Sequence, residues 1–140
     1  MARVLIVGCG CRGRELAAEL TAAGHAVRGT TRREKALEAI SATGAEAVLA
    51  DPARLATILP RIEGVSVVCW LVRGGPLETL LERLVDTPVR GFVYEGDRPD
   101  VVRAASDRWQ IPVEVIDEDP VDHPAWRAAA AGAVSRLLGG

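Results

Sequence analysis

The chain has 140 residues, of which 49% are hydrophobic and 26% charged, and its formal net charge is −2. This length and balance predict a single globular domain, 1–140, with no separate substrate domain. The slight negative charge gives no electrostatic reason to expect nucleic acid as a partner, and no apolar run is long enough to span a membrane. Three cysteines, an odd number, do not suggest a secreted disulfide framework, so we expect a cytoplasmic protein.

Strand and helix patterns alternate along the whole sequence. Short runs of β-branched and apolar residues predict strands, and apolar residues at helical spacing predict the helices between them. The predicted strands are 3–7, 26–30, 46–50, 65–71, 91–94 and 112–116. The predicted helices are 11–23, 33–43, one that opens at Asp51 and Pro52, one marked by Leu77, Leu80, Leu81 and Leu84, 99–109 and 124–138.

Six strands separated by helices predict an α/β fold with a doubly wound parallel sheet, a single Rossmann domain. The expected strand order is 3-2-1-4-5-6, with right-handed crossovers. In such a sheet, ligands bind outside the carboxyl ends of the strands, where the order reverses between strands 1 and 4. The residues that come directly after each strand are therefore the candidate site residues.

The first strand runs directly into a G-x-G-x-x-G motif made by Gly8, Gly10 and Gly13. In a dinucleotide site the first glycine permits the tight turn, and the second lets the backbone approach the pyrophosphate. The third lets the helix pack closely on its strand, so that the helix N-terminus faces the phosphates. The alternative is a glycine turn that joins strand to helix without a ligand.

Two side chains inside this loop are candidate cofactor contacts, Cys11 and Arg12. Arg12 is placed either to bind a phosphate or to point into solvent. A thiolate near a helix N-terminus has a lowered pKa, so Cys9 or Cys11 is either redox-active or simply a small residue in a tight loop. Neither histidine is placed to complete a zinc site with the cysteines, and we expect no metal.

The second strand is followed by Thr30-Thr31-Arg32-Arg33, with no acidic residue. An NAD site commonly places a carboxylate here for the ribose 2′-hydroxyl, whereas arginine accommodates the 2′-phosphate of NADP. We therefore expect NADP in preference to NAD, held by Thr31 and Arg32. The alternative is that Arg32 and Arg33 are solvated charges, although the start of a helix is an unfavourable place for cations.

Two further positions follow the third and fourth strands. Asp51 either accepts a hydrogen bond from the adenine amino group or caps the helix predicted to open at Pro52, and one side chain can do both. Leu71 and Val72 are expected beneath the nicotinamide half of the ligand. The glycine pair after them, Gly74 and Gly75, permits close backbone approach.

The first half of the chain resembles the NAD(P)-binding core of the atypical short-chain dehydrogenase/reductases, of the epimerase-like and NmrA-like kind. The similar segments are VGCGCRGREL, AGHAVRGTTR, GAEAVLAD and GVSVVCWL, which fall within about residues 3–72. The resemblance implies a pyrophosphate site at Gly8, Gly10 and Gly13, a 2′-phosphate site at Arg32 and an adenine contact at Asp51.

The chain departs from that family where catalysis is concerned. The family's Tyr-x-x-x-Lys is absent, and Tyr94 with Arg98 is predicted on a strand end and loop, so no catalytic residue is assigned. Four functions remain open: a hydride-transfer enzyme completed by a second subunit, a non-catalytic nucleotide-sensing module, a regulatory domain like those of potassium transporters, and a domain that binds nothing. Binding of NADP is the function that the sequence favours.

The last helix predicts self-association. Trp126, Ala130, Val134, Leu137 and Leu138 recur at helical spacing. Some of this surface must cover the sixth strand, but the alanine-rich stretch leaves room for close packing with a partner helix. Because one sheet alone leaves the nicotinamide end of the crevice uncovered, we expect a homodimer with two-fold symmetry.

Overall fold

The computed structural model describes residues 3–139, which form one six-stranded sheet with helices on both faces. The strands are Arg3–Val7 (β1), Ala26–Thr31 (β2), Glu46–Leu49 (β3), Val67–Trp70 (β4), Gly91–Tyr94 (β5) and Val113–Val115 (β6). The α-helices are Cys11–Ala22 (α1), Leu37–Ser41 (α2), Leu55–Ile58 (α3), Leu77–Leu84 (α4), Pro99–Trp109 (α5) and His123–Leu137 (α6).

The strand order is β3-β2-β1-β4-β5-β6, and every pairing is parallel. This confirms the predicted α/β class and the predicted order 3-2-1-4-5-6. β1 lies between β2 and β4, so that Ile6 pairs with Gly29 on one side and with Cys69 on the other. The strand order reverses at β1, and the crevice between β1 and β4 therefore opens at the carboxyl edge.

Alternate residues of the central strands pack into two hydrophobic layers, because side chains along a strand point to opposite faces. Val4 and Ile6 lie in the layer that α1 and α6 cover, with Leu16, Leu20 and Trp126. The opposite layer lies under α3, α4 and α5; its members include Leu5, Val7, Trp70, Leu80 and Phe92. β4 and β5 are buried on both faces, as expected for the centre of a parallel sheet.

Two helices differ from the sequence-based expectation. The helix predicted over 33–43 is a short 3₁₀ turn, Glu34–Ala36, followed by α2. The helix predicted to open at Asp51 begins instead at Leu55. In both places a side-chain hydroxyl or carboxylate bonds to nearby backbone and offers it an alternative to a helical turn.

The last helix does not offer the surface that the sequence predicted for a partner. Trp126, Ala130 and Val134 are fully buried against the chain's own sheet. The expected contribution of these three residues to an interface is therefore wrong, because they form part of the core. None of the helices within residues 3–139 combines the length and the apolarity that a membrane span requires.

Candidate functional site

The loops after β1, β2, β3 and β4 surround one groove at the carboxyl edge of the sheet. Its volume is about 240 Å³. Its lining residues are Gly8, Cys9, Gly10, Arg14, Thr30, Thr31, Arg32, Arg33, Ala36, Ala50, Pro52 and Val72. We call this space the adenosine-side groove, after the part of the ligand that the sequence analysis expects at the ends of β2 and β3.

The glycine loop is held to the end of β2 by hydrogen bonds. The Gly8 N–H donates to Thr30 Oγ1 at 3.2 Å, and the Cys9 N–H donates to the Thr30 carbonyl at 2.9 Å. Thr30 is buried, so its hydroxyl pairs with a backbone N–H instead of with water. The loop is thus part of a rigid frame at the edge of the sheet.

The three glycines of the motif have different surroundings. Gly8 has a φ of +87°, and a Cβ there would collide with the side chain of Val72. A Cβ on Gly13 would lie 3.0 Å from the Gly8 carbonyl oxygen, which shows that α1 packs closely on the loop. Gly10 has nothing within 4 Å of an added Cβ. Two of the glycines are therefore required by the fold, whereas the third borders open space.

The N-terminus of α1 lies at the rim of this groove. Gly10 is its N-cap and supplies no side-chain cap, while the Arg14 N–H bonds to the Gly10 carbonyl at 2.8 Å. Within residues 3–139, the N–H groups of Cys11, Arg12 and Gly13 have no hydrogen-bond acceptor. Free N–H groups and the positive end of the helix dipole together favour an anion.

Arginines make the wall of the groove cationic. Arg14, Arg32 and Arg33 line it, no aspartate or glutamate does, and none of the three arginines forms an ion pair with any residue in 3–139. Thr31 Oγ1 accepts the Arg33 N–H at 3.1 Å, which shapes the turn after β2. Guanidinium groups without carboxylate partners are suited to a phosphate.

Arg14 is a lining residue that the sequence analysis missed. It stands one residue after Gly13, in the first turn of α1, where a cation is unfavourable unless an anion compensates it. The same argument was applied to Arg32 and Arg33, so the signal was present in the sequence. Its proximity to the loop is also visible in the Cys9 thiol, whose pKa Arg14 acts to lower against the larger effect of burial.

Arg12 takes neither of the two positions that the sequence left open. It turns away from the adenosine-side groove and its Nη1 donates to both carboxylate oxygens of Glu95, at 2.7 and 2.6 Å. Its guanidinium also lies 4.8 Å from the ring centroid of Trp126. Glu95 comes directly after β5 and is a residue that the sequence analysis missed, although its position after a predicted strand was a usable signal.

Asp51 lies beside the groove without lining it. One carboxylate oxygen accepts the Ala53 N–H at 3.0 Å, and the Asp51 N–H donates to Thr57 Oγ1 at 2.7 Å. The expected cap of a helix opening at Pro52 is therefore wrong, since Asp51 stabilises a turn that precedes α3. Ala50 and Pro52, its two neighbours, do line the groove.

Leu71 and Val72 divide the crevice into two parts. Val72 packs on Gly8 and lines the adenosine-side groove. Leu71 lines a neighbouring cavity of about 200 Å³ on the β4–β6 half, together with Arg12, Arg73, Glu95, Gly96, Ile116, Asp117, Glu118 and Pro120. Of the predicted site residues, Gly8, Gly10, Thr31, Arg32 and Val72 thus meet around one groove, whereas Arg12 and Leu71 border the other.

Tyr94 and Arg98 do not form a catalytic pair. Tyr94 is fully buried and its hydroxyl accepts the Arg98 N–H at 3.1 Å, while the Arg98 guanidinium donates to Glu78 at 2.6 Å. That hydrogen bond from Arg98 lowers the pKa of Glu78. Both side chains therefore have structural contacts away from the crevice.

The three cysteines are divided between the core and the surface. Burial raises the pKa of the Cys9 thiol to about 11 and that of the Cys69 thiol to about 12, so both are protonated at neutral pH. Cys11 is exposed, and its sulfur faces Glu15 and His123, with the ligating atoms of the three residues within 4.8 Å of one another. Redox activity at Cys9 is therefore disfavoured.

No family model matches the sequence, and no curated protein matches it. Solved structures do match the fold. An NADPH-dependent quinone oxidoreductase from Escherichia coli is 14% identical, with a TM-score of 0.65 over 82% of this chain and 46% of its own. The triphenylmethane reductase of Citrobacter sp., complexed with NADP(H), is 15% identical, with a TM-score of 0.61 over 81% of this chain and 48% of its own.

A third match is comparable in length to this chain. The TrkA-N domain of the inner membrane protein ybaL from Escherichia coli is 18% identical, with a TM-score of 0.63 over 81% of this chain and 86% of its own. By contrast, the chain spans about half the length of the two reductases. At these identities the likeness concerns the fold, and it confirms the Rossmann core that the sequence resemblance implied.

Proposed function

We propose that the protein binds NADP(H) in the crevice at the carboxyl edge of its sheet. The observation that carries the proposal is the wall of Arg14, Arg32 and Arg33, which borders the adenosine-side groove without any carboxylate. A ribose 2′-phosphate is the part of NADP that NAD lacks, and it is the group that such a wall would bind. An acidic residue after β2, which would favour NAD, is absent from the lining.

In this proposal the pyrophosphate lies over Gly10, where the structure has open space. It accepts hydrogen bonds from the free N–H groups of Cys11, Arg12 and Gly13. Arg32 and Thr31 bind the 2′-phosphate, together with Arg14. The adenine lies beside Ala50 and Pro52, within reach of the unbonded Asp51 oxygen. Leu71 and Val72 stand where the ligand would cross towards β4.

The comparisons support the choice of ligand without assigning it. The quinone oxidoreductase is NADPH-dependent and the triphenylmethane reductase was solved with NADP(H), and both share this fold. A cytoplasmic location, in which three free thiols are ordinary, is part of the same proposal.

The test is calorimetric titration of NADPH and NADH against wild type and two matched variants. Arg32→Ala is expected to weaken the binding of NADPH by about 1.5–3 kcal/mol, the scale of a hydrogen bond to a charged group. The binding of NADH should be nearly unchanged. Arg103→Ala, which removes an exposed arginine of α5, is the control and should alter neither affinity. Equal losses for both cofactors in Arg32→Ala would show that Arg32 does not read the 2′-phosphate.

A non-catalytic, nucleotide-sensing role is the form of this function that we favour over hydride transfer. The only tyrosine is fully buried, so its hydroxyl is not accessible to a substrate carbonyl. An enzyme would then need groups from a second subunit. An NADPH oxidation assay with quinone and carbonyl acceptors decides between the roles, because turnover by the purified protein would contradict a purely sensing role.

A further inference from the structure

A partly buried ion pair spans the second half of the crevice. Arg12 donates to both oxygens of Glu95, and the Trp126 Nε1–H donates to Glu95 Oε2 at 2.5 Å. Arg12 also stacks on the Trp126 ring. We call these three residues the Arg12 latch. Its members come from the start of α1, the end of β5 and the first turn of α6.

The strand order tells where the latch lies. β4 stands between β1 and β5, so a bond from the start of α1 to the residue after β5 must pass the carboxyl end of β4. In a doubly wound sheet the two halves each accommodate one mononucleotide, and the ligand crosses between them at this point. The latch therefore lies where the adenosine-side groove meets the β4–β6 half, and Arg12 and Glu95 border the cavity there.

The contacts of the latch make it costly to open. The side chain of Arg12 is 29% exposed and that of Glu95 is 16% exposed, so the pair is partly shielded from water. Glu95 accepts from two different donors, and breaking the pair leaves a carboxylate beside the apolar Trp126. A nicotinamide mononucleotide moiety would have to supply equivalent contacts.

The space that remains in that half is poorly matched to a second nucleotide. The cavity of about 200 Å³ is bordered by the carboxylates of Glu95, Asp117 and Glu118 and by the guanidinium groups of Arg12 and Arg73. Because Arg12 is paired with Glu95, two carboxylates remain against one guanidinium. The adenosine-side groove carries the opposite charge, with its unpaired arginines. The two halves of the crevice thus differ in sign, which favours a ligand whose anionic groups all lie on one side.

We propose that the protein recognises its ligand by the adenosine 2′,5′-bisphosphate end alone, and that the Arg12 latch excludes the nicotinamide mononucleotide end. This inference rests on the proposed function and adds to it. The ligand class becomes any molecule that carries a 2′-phosphorylated adenosine 5′-phosphate, and affinity depends little on the group attached to the 5′-phosphate. Arg12 and Glu95 are then specificity-determining residues.

The experiment is calorimetric titration of the full chain with adenosine 2′,5′-bisphosphate and with NADPH. The proposal expects the two dissociation constants to agree within about threefold, because the nicotinamide end adds no contacts. NADPH binding tighter by more than about threefold would overturn it, since the nicotinamide end would then contribute to affinity. If neither ligand binds, the proposed function is overturned, and this inference with it.

Two variants test whether the Arg12 latch is what excludes the nicotinamide mononucleotide end. In Glu95→Gln the amide oxygen still accepts from Trp126, but the charge that holds Arg12 is gone. The affinity for NADPH, relative to that for adenosine 2′,5′-bisphosphate, should then increase by about fivefold, the scale of one hydrogen bond. Arg12→Met opens the latch from the other side, keeps an apolar contact on Trp126 and should shift the ratio in the same direction.

The control is Glu114→Gln, which removes the same charge from an ion pair between β6 and Arg136. It should leave the ratio of the two dissociation constants at the wild-type value. A ratio that stays at the wild-type value in both Glu95→Gln and Arg12→Met would overturn the assignment to the latch.

Discussion

The glycines of the loop differ in what a side chain would meet, and this separates effects on binding from effects on folding. Gly10 has a φ of −82° and open space around it, so a larger residue is compatible with the backbone. Gly8 has a φ of +87° and no room beside Val72. Substitution at Gly10 should therefore affect the ligand, and substitution at Gly8 the fold.

We predict that Gly10→Val keeps the fold and weakens NADPH binding by more than about tenfold, because its side chain fills the space proposed for the pyrophosphate. Gly8→Ala is the contrasting variant and should lower the free energy of unfolding by about 1–3 kcal/mol, the cost of a strained backbone position. Circular dichroism and calorimetry measure both. A folded Gly10→Val protein with wild-type affinity would exclude the glycine loop as the site.

The thiols provide a second prediction at this scale. Cys11 is exposed, whereas burial raises the pKa values of Cys9 and Cys69 to about 11 and about 12. A disulfide reagent at about pH 8 should thus modify one thiol per folded chain quickly, and Cys11→Ser should abolish that fast reaction. Cys9→Ser is the control that should retain it. A fast reaction at two or more thiols would contradict the burial of Cys9 and Cys69.

Individual residues of the candidate site were predictable where a local sequence pattern identifies them. The glycine motif and the basic pair after β2 indicate Gly8, Gly10 and Arg32 without knowledge of the fold. Glu95 was missed although it directly follows the predicted fifth strand. Its pairing with Arg12, 83 residues away, depends on side-chain placement that the strand order alone does not specify. Arg14 lies between these cases, since its place in the first turn of α1 was a usable signal.

At the scale of elements, the strands were predicted within two residues at each end, whereas α2 and α3 were not. Continuous apolar runs specify strands that are buried on both faces. The misplaced helices are short, and polar side chains nearby compete for their backbone: Thr57 Oγ1 donates to the Asp51 carbonyl at 2.9 Å, and Thr31 accepts the Arg33 N–H. The spacing of apolar residues gives no information about such side-chain to backbone hydrogen bonds.

The start of α6 gives a prediction of this kind. Asp122 is its N-cap, and its carboxylate accepts the Ala125 N–H at 3.1 Å. Asp122→Ala should lower the free energy of unfolding by about 1 kcal/mol, since one N–H of the helix loses its partner. Urea denaturation measures the change, and Asp86→Ala, at an exposed position after α4, is the control. Equal stability of wild type and Asp122→Ala would show that the cap contributes nothing.

At the scale of the whole molecule, the homodimer remains a prediction, but its interface must differ from the one expected on α6. The apolar face of that helix is buried in the chain's own core. The large hydrophobic residues that are exposed within residues 3–139 are Leu49, Val85 and Val121, and Val121 is the most exposed, at 83%. Val121 lies in the segment between β6 and α6, next to the residues that border the β4–β6 cavity.

We predict a homodimer that packs around Val121 and covers the open side of the crevice. Val121→Asp should shift the protein towards monomer, because a charge would be buried at the interface without a partner. Val85→Asp is the matched control: Val85 comes directly after α4, on the connection to the amino end of β5, and should leave the association unchanged. Sedimentation velocity at micromolar concentration, with and without NADPH, measures the result. A monomer under both conditions would exclude the dimer, and a dimer that survives Val121→Asp would exclude this interface.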